Sequence, residues 1–343
     1  MPASANHTAS SPPRETVAAM RPGGSDAPSP RLAGIGSSLG GDKPAPGEPE
    51  AIFVVGVSRS GTTLMRRILV RHSRISIADE NHFMGHLLPG HGVRDVIRRA
   101  GDLSSDETVH RVVELLYSPE FQRGTRMRDV SPFWRWLPTR LSRDELERRL
   151  LAEERSERGV FRAILRADAD LRGRAIPGEK TPAHIRWVDE LLEWYPSAKV
   201  VHMIRDPRAI YVSELKRRRE RPESIPYRWL VRAPALLRMF VLAETVWAWA
   251  DSVARYRDLR VRHPESYLDV RFERLVADPL PQLQRLCGFL GVAFEPAMLR
   301  QKVVSEGARL GDTGFDAGAA DRWRERIGPW EARAIRWLLG RRL

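Results

Sequence analysis

Ile52-Phe53-Val54-Val55-Gly56-Val57-Ser58-Arg59-Ser60-Gly61-Thr62-Thr63-Leu64 decides the fold. The first four residues form an unbroken apolar run, the pattern of a strand buried on both faces of a parallel sheet. A glycine-containing turn follows, and Leu64 to Arg71 then reads as a helix. Glycines at this spacing let backbone N–H groups turn inward, and the helix N-terminus adds a partial positive charge. Strand, turn and helix together make a seat for a phosphate, whereas an ordinary strand–turn–helix corner needs no such glycine pair. The pattern is close to the nucleotide-kinase loop Gly-x-x-x-x-Gly-Lys-Ser/Thr. Thr62, however, stands where that loop has the lysine that reaches the β- and γ-phosphates, which argues against ATP chemistry. A ligand with one phosphate at this point has no γ-phosphate to reach, and the hydroxyls of Thr62 and Thr63 suffice.

Outward from the loop, residues 86 to 172 alternate charged and apolar residues at helical spacing, broken at Ser131-Pro132-Phe133-Trp134-Arg135-Trp136. Ala175 to Pro177 reads as a short strand, Ala183 to Tyr195 as a helix, and Val200 to Ile204 as a second buried strand. Asp206 can cap a helix with Pro207 at its first position. Trp229 to Tyr256 reads as a long aromatic helix, Tyr267 to Val270 as a strand, and Arg274 to Leu290 as an amphipathic helix ended by Gly291. Strands alternating with helices predict an α/β fold: a P-loop-like three-layer α/β/α architecture with a central, mostly parallel sheet and a helical insertion. Residues 1–48, rich in Pro, Gly, Ser and Ala without apolar periodicity, read as a disordered leader to one domain over 49–343.

The chain has 343 residues, a net charge of +13 and a pI of about 10.6. That balance points to an anionic partner: nucleic acid, a membrane surface, or a ligand bearing phosphate or sulfate. The positive charge is almost all arginine, since lysine occurs only at 43, 180, 199, 216 and 302. Because the charges are spread along the chain and mixed with acids, solvated helix faces account for most of them. A basic nucleic-acid-binding protein is the reading suggested by charge alone, and no helix-turn-helix, zinc-finger or basic-zipper pattern accompanies it. No stretch approaches the roughly 20 apolar residues that a bilayer span requires. With one cysteine, Cys287, and no apolar signal segment, the expected compartment is the cytoplasm. The sequence leaves oligomeric state open.

Arg59-Ser60-Gly61-Thr62-Thr63-Leu64-Met65-Arg66 resembles the 5′-phosphosulfate loop of sulfotransferases that use 3′-phosphoadenosine-5′-phosphosulfate (PAPS), most of all the tyrosylprotein sulfotransferases. Ser58 stands where that family usually has proline. Val200-Val201-His202-Met203-Ile204-Arg205-Asp206-Pro207-Arg208, with Ser213 eight residues beyond Arg205, resembles the family's 3′-phosphate motif. Gly178-Glu179-Lys180-Thr181-Pro182 resembles its catalytic-lysine turn. Tyr267 to Met298 is similar to its C-terminal part, with Phe272 where tyrosine is usual. Asp321-Arg322-Trp323 resembles its last cofactor segment.

The resemblance implies a sulfuryl transfer from PAPS to a hydroxyl-bearing acceptor by in-line displacement, with positioning and charge stabilisation as the protein's main work. It implies that Arg59, Ser60, Gly61, Thr62 and Thr63 hold the 5′-phosphosulfate, and that Arg205 and Ser213 hold the 3′-phosphate. Arginine suits that role because its planar fork donates two hydrogen bonds to one phosphate. Arg322 falls near the phosphosulfate end. Arg59 and Lys180 serve the bridging and sulfate oxygens, and Glu80, in Ala78-Asp79-Glu80-Asn81, is the general base. His82 is the rival base. His72, His184 and His202 read as structural, and Trp247 and Trp249 as core or, otherwise, as lining for an acceptor pocket. No metal is expected, since Arg and Lys can neutralise the phosphates and no ligand-spaced cluster occurs. A P-loop nucleotide kinase is the alternative enzyme. The acceptor is open among glycan, lipid, small metabolite and tyrosine.

Overall fold

A computed structural model describes residues 43–85, 92–123, 131–222, 225–302 and 313–340. The expected leader lies largely outside the described residues. Among the described residues four strands form one wholly parallel sheet: β1 (Ile52–Gly56), β2 (Gly178–Lys180), β3 (Lys199–Ile204) and β4 (Tyr267–Arg271), in the order β2-β1-β3-β4. The register sets Val54 beside Lys180, Gly56 beside Met203 and Ile204 beside Arg271.

Both faces of the central strands are buried, and alternate side chains enter different cores. Phe53, Val55 and Val200 join Phe83, Phe161 and Leu191 on one face. Ile52, Val54, Val201 and Met203 pack with Met65, Leu275 and Leu286 on the other. This is what a continuous apolar strand demands, and it gives the expected α/β/α layering. Between β1 and β2 lies the helical insertion, whose longest member is Glu157–Leu171.

Several elements differ from the sequence expectation in their bounds. The second strand falls at Gly178–Lys180 rather than Ala175–Pro177, because only past Pro177 does the chain pair with β1; Ile176 instead bridges to Ile75. Pro132–Trp136, expected as a break, is a short helix with proline at its start. The expected helix over 183–195 is a 3-10 turn at Pro182–Trp187 followed by Val188–Trp194. The long aromatic helix is two, Ile225–Leu230 and Pro234–Arg262, and the closing one is Phe272–Ala277 and Pro279–Leu290. In both cases proline lacks the N–H that would continue the preceding helix and starts a new one. Gly291 ends the last helix in the left-handed conformation (φ 69°). Trp249 is core, whereas Trp247 is about half exposed beneath the Arg186 guanidinium, 4.7 Å from its ring.

Candidate functional site

In an open parallel sheet, ligands sit beyond the carboxyl ends of the strands. Here those ends deliver the loop after β1, Lys180 at the end of β2, Arg205 after β3 and Phe272 after β4. The loop after β1 is built on close backbone approach. Gly56 (φ 147°) has no room for a Cβ, which would lie 2.6 Å from the Met203 carbonyl oxygen. A Cβ on Gly61 (φ 102°) would lie 2.5 Å from the Phe272 ring. Gly61 leads directly into the helix Thr62–Leu69 without a side-chain cap, so the orphaned amides of its first turn face the loop. Arg59 itself has positive φ (70°), uncommon for a residue with a side chain and concentrated at functional turns. Thr62 is buried and Thr63 exposed.

Two motifs far apart in sequence meet at this loop. Arg59 Nε donates to Ser213 Oγ at 3.0 Å, across 154 positions. Arg205 Nη1 donates to the Arg59 carbonyl at 3.1 Å and Nη2 to the Ala319 carbonyl at 2.9 Å. The Arg205 guanidinium stacks 4.0 Å from the Phe272 ring centroid. Its own carbonyl accepts from Trp249 Nε1 at 2.9 Å, and the next amide, Asp206 N, donates to Glu273 at 2.9 Å. Asp206 caps the following helix, Pro207–Glu220, by accepting from Arg208 N. Ser213 lies almost two turns along that helix, which swings it back to the loop.

Burial pushes the Arg205 guanidinium down to about 10; Glu273 and Asp206 oppose this, while Arg59 and Arg322 reinforce it. Arg205 Nε and Ser60 Oγ are buried without hydrogen-bond partners among the described residues. Excess positive charge with orphaned buried donors suits the binding of an anion. Arg322 is drawn in by its segment, where Ala319 meets Arg205, but its guanidinium is paired with Asp316.

A second cluster forms at β2. The Ile75–Ala78 segment runs beside β2, with Ala78 N donating to the Gly178 carbonyl at 2.8 Å and Lys180 N to the Ala78 carbonyl at 3.0 Å. That pairing sets Glu80 against Lys180: Lys180 Nζ donates to Glu80 Oε1 at 2.6 Å and approaches Asp79 Oδ1 at 3.1 Å. Lys180 is buried, while Glu80 and Asp79 are partly open to solvent. Burial raises the Asp79 carboxyl, but Lys180 and Arg66 outweigh it and hold it below the usual carboxylate range. Thr181 Oγ1 accepts from Asn81 N, and Trp134 Nε1 donates to the Asn81 carbonyl at 2.7 Å, so the insertion fixes this segment. His82 has positive φ (50°), and its Nε2 lies 3.6 Å from Glu80.

His72, His184 and His202 are packed. His184 is wholly buried against Glu179 (2.7 Å), His202 lies between Tyr267 and Ser252, and His72 bonds the Ala293 carbonyl at 2.9 Å. Asp79 and Glu273 escaped the sequence reading as site residues, and Trp249 was read as core or pocket lining rather than as a partner of Arg205. Asp79 had the signal of adjacency to Glu80. Among the described residues no group of three or more His, Cys, Asp or Glu could hold a metal.

The profile of the Sulfotransferase family matches residues 49–296, and the chain belongs to that family. Among curated relatives, omega-hydroxy-beta-dihydromenaquinone-9 sulfotransferase Stf3 of Mycobacterium tuberculosis is 29% identical over 123 residues, covering 33% of this chain and 28% of that protein. A Caenorhabditis elegans protein provisionally named protein-tyrosine sulfotransferase is 27% identical over 139 residues, covering 40% of this chain and 49% of its own. The chain thus matches less than half of either relative's length. Among solved structures, the sulfotransferase domain of the Synechococcus PCC 7002 olefin synthase superposes with a TM-score of 0.50 at 20% identity, over 87% of this chain and 96% of that one.

Proposed function

We propose that the protein transfers a sulfuryl group from PAPS to a hydroxyl acceptor. The observation that carries this reading is the Arg205–Arg59–Ser213 contact, which joins the two phosphate motifs into one cationic cradle. The orphaned Arg205 Nε and Ser60 Oγ and the two close glycines fit an adenosine bisphosphate skeleton. Residues Arg59 to Thr63 would hold the 5′-phosphosulfate through loop amides and hydroxyls, and Arg205 with Ser213 the 3′-phosphate. The donor, when bound, supplies an activated sulfuryl group on a phosphate leaving group.

The chain's own residues position the acceptor hydroxyl, take its proton and stabilise the charge that grows on the leaving oxygen. Glu80 is the base in this reading. Lys180 holds its carboxylate in place and brings an ammonium to the same spot, beside the strand end where the loop begins. Asp79 shares the Lys180 charge, which leaves that ammonium a choice of partners within reach. Arg322 supports the cradle's positive field from beyond Arg205. The acceptor is a hydroxyl on a molecule of unassigned class.

Incubating the protein with radiolabelled PAPS and an extract of its host tests the reading. Label should pass to an acceptor in a time- and protein-dependent way, and Lys180→Ala should abolish it. Tight binding of ATP with no affinity for adenosine 3′,5′-bisphosphate would overturn the reading in favour of a nucleotide kinase.

A further inference from the structure

The helix Pro234–Arg262 carries a second pattern that the site does not use. Leu236, Met239, Phe240, Ala243 and Trp247 recur at spacings of three and four, which lines them along one face. That face is turned outward: Leu236 is 57% exposed, Met239 59% and Trp247 52%. The C-terminal helix Pro329–Leu339 continues it with Trp337, 85% exposed, and Leu338. Trp247 and Trp337 both line one groove of about 660 Å³, so the two faces are continuous. Trp229 extends the apolar surface on the preceding short helix, where Tyr227 meets the Phe240 ring edge-on at 5.6 Å.

Charge decides what covers such a face. From Ile225 to Trp247 the sequence holds Arg228, Arg232 and Arg238 and one acid, Glu244, which accepts from the Tyr227 hydroxyl and pairs with Arg218. On the C-terminal helix the one acid, Glu331, is buried and paired with Arg238. Arg228, Arg232, Arg333 and Arg336 have exposed side chains and no acidic partner among the described residues. We propose that this two-helix face is an interfacial docking surface for an anionic lipid bilayer. Tryptophan and aliphatic side chains between basic residues are the composition of helices that lie in the headgroup region. A second copy of the chain meeting the same face about a two-fold axis would bring like-charged rims together. Residues 1–42 offer no match either: they hold three arginines against three acids and no aromatic residue. No helix among the described residues is long and apolar enough to cross a membrane, so the attachment is lateral.

The test uses the full chain without nucleotide, which keeps it independent of the donor assignment. Cosedimentation is measured with phosphatidylcholine vesicles and with vesicles containing about a third phosphatidylglycerol. Binding should be at least roughly tenfold tighter to the anionic vesicles and should weaken with salt. The variant Leu236→Asp/Met239→Asp/Trp337→Asp should lose roughly tenfold or more in affinity. Arg333→Gln/Arg336→Gln should lose the anionic preference while keeping its melting temperature. Trp337→Asp alone provides the same comparison if the triple variant fails to fold. Absence of anionic-vesicle binding, or binding equal in wild type and all variants, overturns the proposal. Sedimentation of the wild type as a dimer that Trp337→Asp dissociates assigns the face to a second copy instead.

Discussion

Arg205→Ala separates a binding role for this arginine from a structural one, because the two contributions have different sizes. Within the protein the side chain donates to the carbonyls of Arg59 and Ala319 and stacks on Phe272. Two hydrogen bonds at about 1 kcal/mol each and a cation–π contact of about 1 kcal/mol stabilise the fold by roughly 3 kcal/mol. Against this stands the burial that lowers the guanidinium from 12.5 to about 10. That shift corresponds to roughly 3 kcal/mol against the charged form. The two offset, so removal should leave stability within about 1 kcal/mol and the melting temperature within a few degrees. Binding is different, because a charge-assisted bond to phosphate contributes about 1.5–3 kcal/mol, or roughly a tenfold to hundredfold change in affinity. Calorimetric titration of adenosine 3′,5′-bisphosphate and adenosine 5′-monophosphate into wild type and Arg205→Ala gives the four affinities needed. Wild type should prefer the bisphosphate at least tenfold, and the variant should lose most of that preference by weakening the bisphosphate alone. Equal affinities in the wild type refute the donor assignment. A preference that survives in the variant refutes the residue assignment. An equal loss for both nucleotides shows that Arg205 acts by holding the Arg59 carbonyl.

Glu80→Gln should lower turnover by about 10² or more with bisphosphate affinity nearly unchanged, while His82→Ala should stay near wild type; the reverse pattern in steady-state assays transfers the base to His82. Gly61→Ala puts a Cβ 2.5 Å from the Phe272 ring at a φ of 102°, so it should cost about 2–5 kcal/mol and abolish bisphosphate binding. A normal melting curve with normal binding would show that the loop yields. Burial of His202 between Tyr267 and Ser252 depresses its folded pKa to about 3, from an ordinary 6.5. The unfolded chain therefore takes up a proton that the folded one refuses, so stability is full above about pH 6.5 and falls as pH drops toward 3. From pH 7 to pH 5 the loss should be roughly 2 kcal/mol. Urea midpoints across that range should fall in the wild type and fall less in His202→Gln, and equal slopes would contradict the assignment.

The sequence alone determined what depends on neighbouring residues. Four apolar residues before Gly56, glycines five apart, and a helix start at Thr62 define strand, loop and helix, because backbone sterics and hydrogen bonding act over a few positions. Asp206 followed by Pro207 likewise fixes a helix start, and Gly291 a helix end. The prolines at 234 and 279 carried the signal that splits the two long helices, although hydrophobic periodicity runs through them. Tertiary structure alone decided the rest. Glu80 reaches Lys180 across 100 positions because Ala78 pairs with Gly178 and Lys180, and no local pattern encodes that register. Ser213 reaches Arg59 because the Pro207–Glu220 helix leaves β3 next to β1, a consequence of strand order. Trp249 and Trp247 are two residues apart on one helix, yet one fixes the Arg205 carbonyl and the other faces outward under Arg186. The sequence shows them as equivalent aromatics; only the packing of that helix against the end of β3 assigns the inward side to one of them.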